Sequence, residues 1–105
     1  MVNVVETVYV AAGADGAVVG WVHVFLAHRL VAEPFAEIGG LVVDESCRVY
    51  GVGRALMETA EAWAQERGYP QVRVRSNTIR VGAFAFYQRL GYQCIKTQNV
   101  FVKAL

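Results

Sequence analysis

The chain has 105 residues, a formal net charge of +1 and 55% hydrophobic residues. This length suits one small domain with one core, and the composition excludes a disordered chain. The near-neutral charge argues against a dedicated nucleic-acid surface, and no apolar run approaches the roughly 18 residues that a membrane span needs. The N-terminus lacks signal-peptide regions, and Cys47 and Cys94 lack metal-ligand or disulfide spacing. We therefore expect a cytoplasmic protein with free thiols, no metal, and no nucleic-acid or membrane partner.

Hydrophobic periodicity and turn residues predict alternating strands and helices. Ala14-Asp15-Gly16 reads as the turn of a hairpin, and Gly68 and Gly91 read as helix stops. The predicted order is β-β-β-α-β-α-β-β, an α/β (α+β) mixed sheet with helices on its faces, in one domain over residues 1–105. The predicted elements are strands 6–12, 18–29 and 35–43 with a loop at 30–34, a helix at 51–67, a strand at 72–75, a helix from Asn77 or Thr78 to Leu90, and closing strands at 92–97 and 100–104.

The segment Arg48-Val-Tyr-Gly-Val-Gly53 follows an apolar strand and a polar loop and opens the first predicted helix. A helix N-terminus has unpaired backbone N–H groups and partial positive charge, so it favours phosphate or pyrophosphate. The segment lacks the Lys-Ser/Thr pair of a P-loop and the third glycine of a dinucleotide fingerprint. The predicted anion-binding residues are Arg48, Val49, Tyr50, Gly51, Val52, Gly53 and Arg54.

The pattern Arg-x-x-Gly-x-Gly-x-x-Leu after a strand resembles the coenzyme A pyrophosphate loop of the GNAT superfamily of N-acetyltransferases. The later segment Ala83-Phe-Ala-Phe-Tyr-Gln-Arg-Leu-Gly-Tyr92 resembles the family pattern Ala-x-x-Phe-Tyr-x-x-x-Gly-Phe/Tyr. The resemblance covers nearly all of the chain but only part of the usual family domain. A first strand and two helices of typical members have no counterpart here, so the chain looks like a short form.

The resemblance implies acetyl-CoA as co-substrate, with its pantetheine arm in a gap between the third strand and Val72–Arg75. Gly39-Gly40 fits the bulge that opens such a gap, because glycine inside a strand often marks a bulge. The backbone of Leu41, Val42 and Val43 would then contact pantetheine. Many relatives carry an asparagine at the position of Arg80, and Asn77 lies three residues earlier. Both Asn77 and Arg80 are therefore candidates for cofactor contact.

The resemblance also implies two groups for proton transfer. Glu37, in Phe35-Ala36-Glu37-Ile38, matches the general base of histone-type members, and Tyr87 matches the tyrosine that protonates the leaving thiolate. The alternative for Glu37 is a salt-bridged glutamate at the sheet edge, with the base elsewhere. The alternative for Tyr87 is a packing role on a helix face. His23 and His28 on the second strand are further candidates for a base.

The sequence thus predicts an N-acetyltransferase in which a primary amine attacks acetyl-CoA directly. The alternative is a non-catalytic acyl-CoA-binding module or a truncated domain, because the segments that usually complete the acceptor pocket are missing. A homodimer that completes the cleft is a further possibility. Glu33 and Glu37 would attract a cationic acceptor, but small amines, aminoglycosides, amino acids and protein amines all stay open.

Overall fold

The computed structural model describes residues 5–29, 32–75, 81–95 and 101–105. The chain divides into two units, Met1–Arg75 and Ser76–Leu105. The interpretation of residues 1–105 as one domain stays a prediction. Within the described ranges, no helix combines the length and apolarity needed to cross a membrane.

The first unit is built on a four-stranded mixed sheet with the order β1-β2-β3-β4. Strands β1, β2 and β3 pair antiparallel, and β4 pairs parallel to β3. The predicted bounds of β1 and β2 are confirmed, and β4 ends one residue earlier than predicted. The strands are β1 (Glu6–Ala12), β2 (Val18–Arg29), β3 (Ala32–Val43) and β4 (Val72–Val74).

Helix α1 (Val52–Glu66) packs on one face of this sheet and buries the core. Its apolar residues recur at helical spacing, so they form one stripe that faces the strands. Val22 and Val24 of β2 and Ala36 and Ile38 of β3 alternate with residues that point to the opposite face. The buried residues of the helix are Gly53, Leu56, Met57, Ala60, Trp63 and Ala64.

Glycines end both helices, as predicted. Gly68 follows α1 with a φ of 78°, and its N–H and that of Tyr69 donate to the carbonyls of Gln65 and Ala64. Gly91 follows α2 (Val81–Arg89) of the second unit with a φ of 93°. At the end of α1, the hydrogen bonds from the N–H groups of Gly68 and Tyr69, together with the left-handed conformation of Gly68, form a Schellman motif.

Three segments differ from the predicted elements. Ala32–Pro34 belongs to β3 and not to a loop. Pro34 lies between Ala32 and Phe35, where the pairing of β3 with β2 is irregular, and strands tolerate proline at such irregularities. Residues 45–50 form a 3₁₀ helix, because the carboxylate of Asp44 accepts bonds from the N–H and hydroxyl of Ser46 at 2.9 and 2.7 Å.

The closing pair of strands is the third difference. Residues 92–95 and 101–105 contain no strand, and the rest of the predicted pair lies outside the described residues. Phe101 and Val102 are almost fully exposed. A hydrophobic alternation forms a strand only when another strand pairs with it, and two strands alone are marginal in water.

Replacing Met57 with alanine is expected to destabilise the fold by about 2–5 kcal/mol, because the Met57 side chain is fully buried beneath the sheet and its loss leaves a cavity. Urea denaturation followed by circular dichroism measures this change. Gln65→Ala, at an exposed position of the same helix, is the control and should change stability by less than about 0.5 kcal/mol. Equal effects of the two substitutions would contradict the placement of the core.

Candidate active site

Strand β3 bulges at Gly39, where the sequence predicted a break. His23 pairs with Gly40 and Val24 pairs with Ile38, so Gly39 is an extra residue in β3. The pairing of β3 with β4 covers only Ala36 to Ile38, directly before the bulge. From Gly39 to Val43, therefore, β3 has no strand partner on its β4 side within the described part of the chain.

Backbone alternation decides which residues face this open edge. The N–H of Asp44 donates to the Val19 carbonyl of β2 at 2.7 Å, and alternation gives Val42 the same direction. The N–H and carbonyl groups of Leu41 and Val43 consequently point away from β2, toward the side where β4 has ended. Of the three residues predicted to contact pantetheine, Val42 therefore directs its backbone groups toward β2, and Leu41 and Val43 direct theirs toward the open edge.

The two glycines of the bulge lie beneath aromatic rings of β2. A Cβ atom at Gly39 would overlap Nδ1 of His23, and one at Gly40 would approach the Trp21 ring to 2.9 Å. Val22 and Val24 are buried under α1, so His23 and Trp21 project from the opposite face of the sheet. The two glycines therefore allow both the bulge in β3 and the close approach of the His23 and Trp21 rings to its backbone.

The start of α1 lies shortly after the open edge of β3. Gly51 has a φ of 74° and joins the 3₁₀ helix to α1, whose first α-helical bond runs from the Ala55 N–H to the Gly51 carbonyl at 3.0 Å. Consequently the N–H groups of Val52, Gly53 and Arg54 have no partner inside the helix. Two further predicted donors, Val49 and Tyr50, lie in the 3₁₀ helix, where such groups form i→i+3 bonds.

The surroundings of this helix start are open. A Cβ atom at Gly51 would have no neighbour within 4 Å, and Tyr50 is 77% exposed. Arg48 lies in the 3₁₀ helix, and Arg54 donates from Nε to Glu58 at 3.1 Å on the exposed side of α1. An open groove of about 330 Å³ adjoins this start, lined by Tyr9, Val10, Ala11, Tyr50, Gly51, Val52, Ala55, Leu56 and Thr59.

Glu37 lies on the sheet face opposite α1, between the buried residues Ala36 and Ile38. Its Oε1 accepts a hydrogen bond from Nε of Arg75 at 2.9 Å, and its side chain is only 14% exposed. The salt-bridged arrangement that the sequence left open for Glu37 is therefore present. Arg75 lies 38 residues away in sequence and was not among the predicted site residues.

His23 lies on the same face, one strand away from Glu37. Its Nε2 is 3.0 Å from Oε2 of Glu6 on β1, and its ring centroid is 5.6 Å from that of Phe25. The imidazole is 30% exposed. Glu6 was not among the predicted site residues either, because only the pairing of β1 with β2 brings it to His23.

The remaining candidates lie elsewhere. Tyr87 is on α2 in the second unit, where its ring meets that of Tyr92 edge-to-face at 5.8 Å. His28 and Glu33 lie on β2 and β3, and Asn77 and Arg80 lie outside the described residues. Within the described residues, Cys47 and Cys94 form no disulfide. The described residues contain no group of three or more His, Cys, Asp or Glu side chains that could hold a metal ion.

Known proteins resemble the chain in both sequence and fold. Aminoglycoside N(6′)-acetyltransferase type 1 of Stenotrophomonas maltophilia is 31% identical over 90 residues, which are 82% of this chain and 59% of that protein. N-acetyltransferase 8 of Homo sapiens is 36% identical over 53 residues, which are 50% of this chain and 23% of that protein. The chain thus spans 59% or less of the length of these two relatives.

The fold of a solved aminoglycoside N-acetyltransferase in complex with CoA matches with a TM-score of 0.90 at 20% identity, over 98% of this chain and 79% of that one. The model of the acetyltransferase (GNAT) family matches residues 4–92. Since this match includes the bulged β3, the Gly51 loop and α2, the chain belongs to the acetyltransferase (GNAT) family and has the mixed-sheet fold of that family.

Proposed function

We propose that the chain is an N-acetyltransferase that moves the acetyl group of acetyl-CoA to a primary amine. The observation that carries this proposal is that β3 loses its pairing with β4 at Gly39. The open edge of β3 that results lies shortly before the start of α1, whose first N–H groups have no partner inside the helix. An extended pantetheine arm fits along the open edge, and a pyrophosphate fits the helix start. The solved relative in complex with CoA supports this ligand class.

The proposed reaction is a direct attack of the amine nitrogen on the thioester carbon. The N–H of Leu41 faces the open edge and would donate to the oxyanion that develops on the carbonyl oxygen. Glu37 would take a proton from the attacking nitrogen, directly or through a water, and Tyr87 would protonate the sulfur of CoA as it leaves. Arg48, Arg54, Asn77 and Arg80 are proposed to contact the cofactor, and no metal takes part.

The acceptor class is proposed from the relatives. Aminoglycoside acetyltransferases recur among them, so an aminoglycoside is the first acceptor to test. Glu6, whose side chain is 66% exposed on the sheet face opposite α1, would favour a cationic amine by charge complementarity, whereas Glu37 is already paired with Arg75. A homodimer that completes the acceptor cleft, and a cytoplasmic location, stay part of the proposal.

Thiol release tests the proposal, with acetyl-CoA as donor and kanamycin, spermidine, benzylamine, lysine and a peptide with a free N-terminus as acceptors. Amine-dependent release above the hydrolysis background supports an enzyme and identifies an acceptor. If acetyl-CoA binds but no amine is acetylated, the result contradicts the enzyme and favours an acyl-CoA-binding module.

Replacing Glu37 with glutamine is expected to lower kcat by about 10²–10⁴-fold, because the amide keeps the shape of the side chain but accepts no proton. The dissociation constant for acetyl-CoA should stay within about twofold, which calorimetry measures. Glu66→Gln removes the same charge from an exposed position of α1 and should leave kcat unchanged. A kcat of Glu37→Gln equal to that of the unmodified chain would assign Glu37 to its ion pair with Arg75 alone.

A further inference from the structure

The ion pair of Glu37 and Arg75 lies at the point where β3 and β4 separate. The last pair of residues that joins the two strands is Ile38 with Val74, so Arg75 is the first residue after β4. Its side chain reaches Glu37, and its Nε donates a hydrogen bond to Oε1 at 2.9 Å. The contact therefore links the end of β4 to β3, directly before the open edge proposed for the pantetheine arm.

The two side chains of this ion pair differ in exposure. The Glu37 side chain is 14% exposed and lies between the buried residues Ala36 and Ile38, whereas the Arg75 side chain is 44% exposed. Within the described part of the chain, Arg75 is the residue whose side chain donates a hydrogen bond to Glu37. A glutamate side chain has several rotatable bonds, so a single orientation of its carboxylate needs a contact that holds it. Arg75 supplies that contact.

The chemistry of a guanidinium suits it to hold a carboxylate and not to exchange protons with it. The hydrogen bond joins two charged groups, and such bonds are shorter and stronger than those between neutral groups. A guanidinium only donates hydrogen bonds and stays protonated throughout the pH range of an enzyme assay. Arg75 therefore leaves the acceptance of a proton to Glu37.

We propose that Arg75 is a positioning residue that acts through Glu37. Its guanidinium holds the carboxylate in the orientation in which Glu37 takes the proton of the attacking nitrogen, and Arg75 neither gives nor takes a proton. The ion pair and the general base are then two parts of one arrangement and not alternatives. This inference rests on the proposed acetyltransferase function and on the proposed role of Glu37 within it.

A cycle of single and double variants tests the inference, using the primary amine that the thiol-release panel shows to be acetylated. Arg75→Gln is expected to lower kcat by about 10–100-fold, because a misplaced catalytic group costs this much, with the dissociation constant for acetyl-CoA within about twofold. Adding Arg75→Gln to Glu37→Gln should lower kcat by less than a further factor of about two, because the amide accepts no proton in any orientation.

Arg73→Gln is the matched control, because it removes the same charge from the neighbouring strand β4. The guanidinium of Arg73 lies 4.1 Å from the centre of the Phe35 ring, and its Nε donates to Oε1 of Gln71 at 2.8 Å. Its kcat should therefore stay within about twofold of that of the unmodified chain. Arg75→Lys keeps a charged donor, should lose less activity than Arg75→Gln, and replaces it in the cycle if that variant does not fold.

The outcomes separate this inference from the proposed function. The inference alone is overturned by an unchanged kcat of Arg75→Gln, by an equal loss in Arg73→Gln, or by losses that multiply in the double variant. An unchanged kcat of Glu37→Gln also overturns it, because Arg75 then has no base to position, while acetyl transfer itself stands. Absence of thiol release by the unmodified chain overturns the proposed function and this inference together.

Discussion

The Gly51→Glu variant is expected to bind acetyl-CoA at least about 100-fold more weakly than the unmodified chain. Position 51 opens into free space at the start of α1, so the new carboxylate would occupy the place proposed for the pyrophosphate. Like charges brought together at a binding site cost several kcal/mol, and each 1.4 kcal/mol is about tenfold in affinity. Calorimetric titration measures the change.

Gly68→Glu is the matched control for this variant. Gly68 has a φ of 78°, close to the 74° of Gly51, and a Cβ atom there also has no neighbour within 4 Å. Both substitutions therefore carry the same left-handed backbone strain, about 1–2 kcal/mol, and the same charge. Because Gly68 lies at the other end of α1, its variant should keep its affinity. Retained affinity in Gly51→Glu would mean that this helix start does not hold the cofactor.

The Tyr87→Phe variant is expected to lower kcat by about 10²–10⁴-fold while the dissociation constant for acetyl-CoA stays within about twofold. The substitution removes only the hydroxyl that is proposed to protonate the leaving thiolate, so it acts on the chemical step and not on binding. Steady-state kinetics with the acetylated amine of the panel, together with calorimetry, separates the two quantities.

Tyr92→Phe provides the comparison. Its ring meets that of Tyr87 edge-to-face, so it removes a hydroxyl from the same aromatic pair without removing the proposed acid. Turnover of this variant should stay close to that of the unmodified chain. If both variants lose the same activity, the hydroxyls matter for packing of this pair, and the assignment of Tyr87 as the acid is wrong.

Local sequence signals were sufficient to predict the two backbone features of the site, the bulge of β3 and the joint before α1. Gly39-Gly40 predicted the bulge of β3, and Gly51 predicted the joint before α1, because glycine marks places where a backbone bends or turns left-handed. The 3₁₀ helix also had a local signal in Asp44 and Ser46, since an aspartate two residues before a serine can cap a helix start.

The side-chain pairs of the site had no such local signal. Glu6 and His23 are 17 residues apart, and Glu37 and Arg75 are 38 residues apart. Both pairs depend on strand register, and a slip of one residue would turn each partner to the other face of the sheet. The pairing of β1 with β2 brings Glu6 to His23, and the pairing of β3 with β4 brings Glu37 to Arg75. Their effects on distant residues follow only from the folded sheet.

The most direct test of the proposed cofactor site is an amide NMR titration of the ¹⁵N-labelled 11.5 kDa chain with CoA. The account predicts that the largest shifts fall on the N–H signals of Val52, Gly53 and Arg54 at the start of α1 and of Leu41 at the open edge of β3. Titration with 3′,5′-adenosine diphosphate, which lacks the pantetheine arm, should leave the Leu41 signal in place. Saturable shifts that spare these four amides, or no shifts at all, would contradict the account.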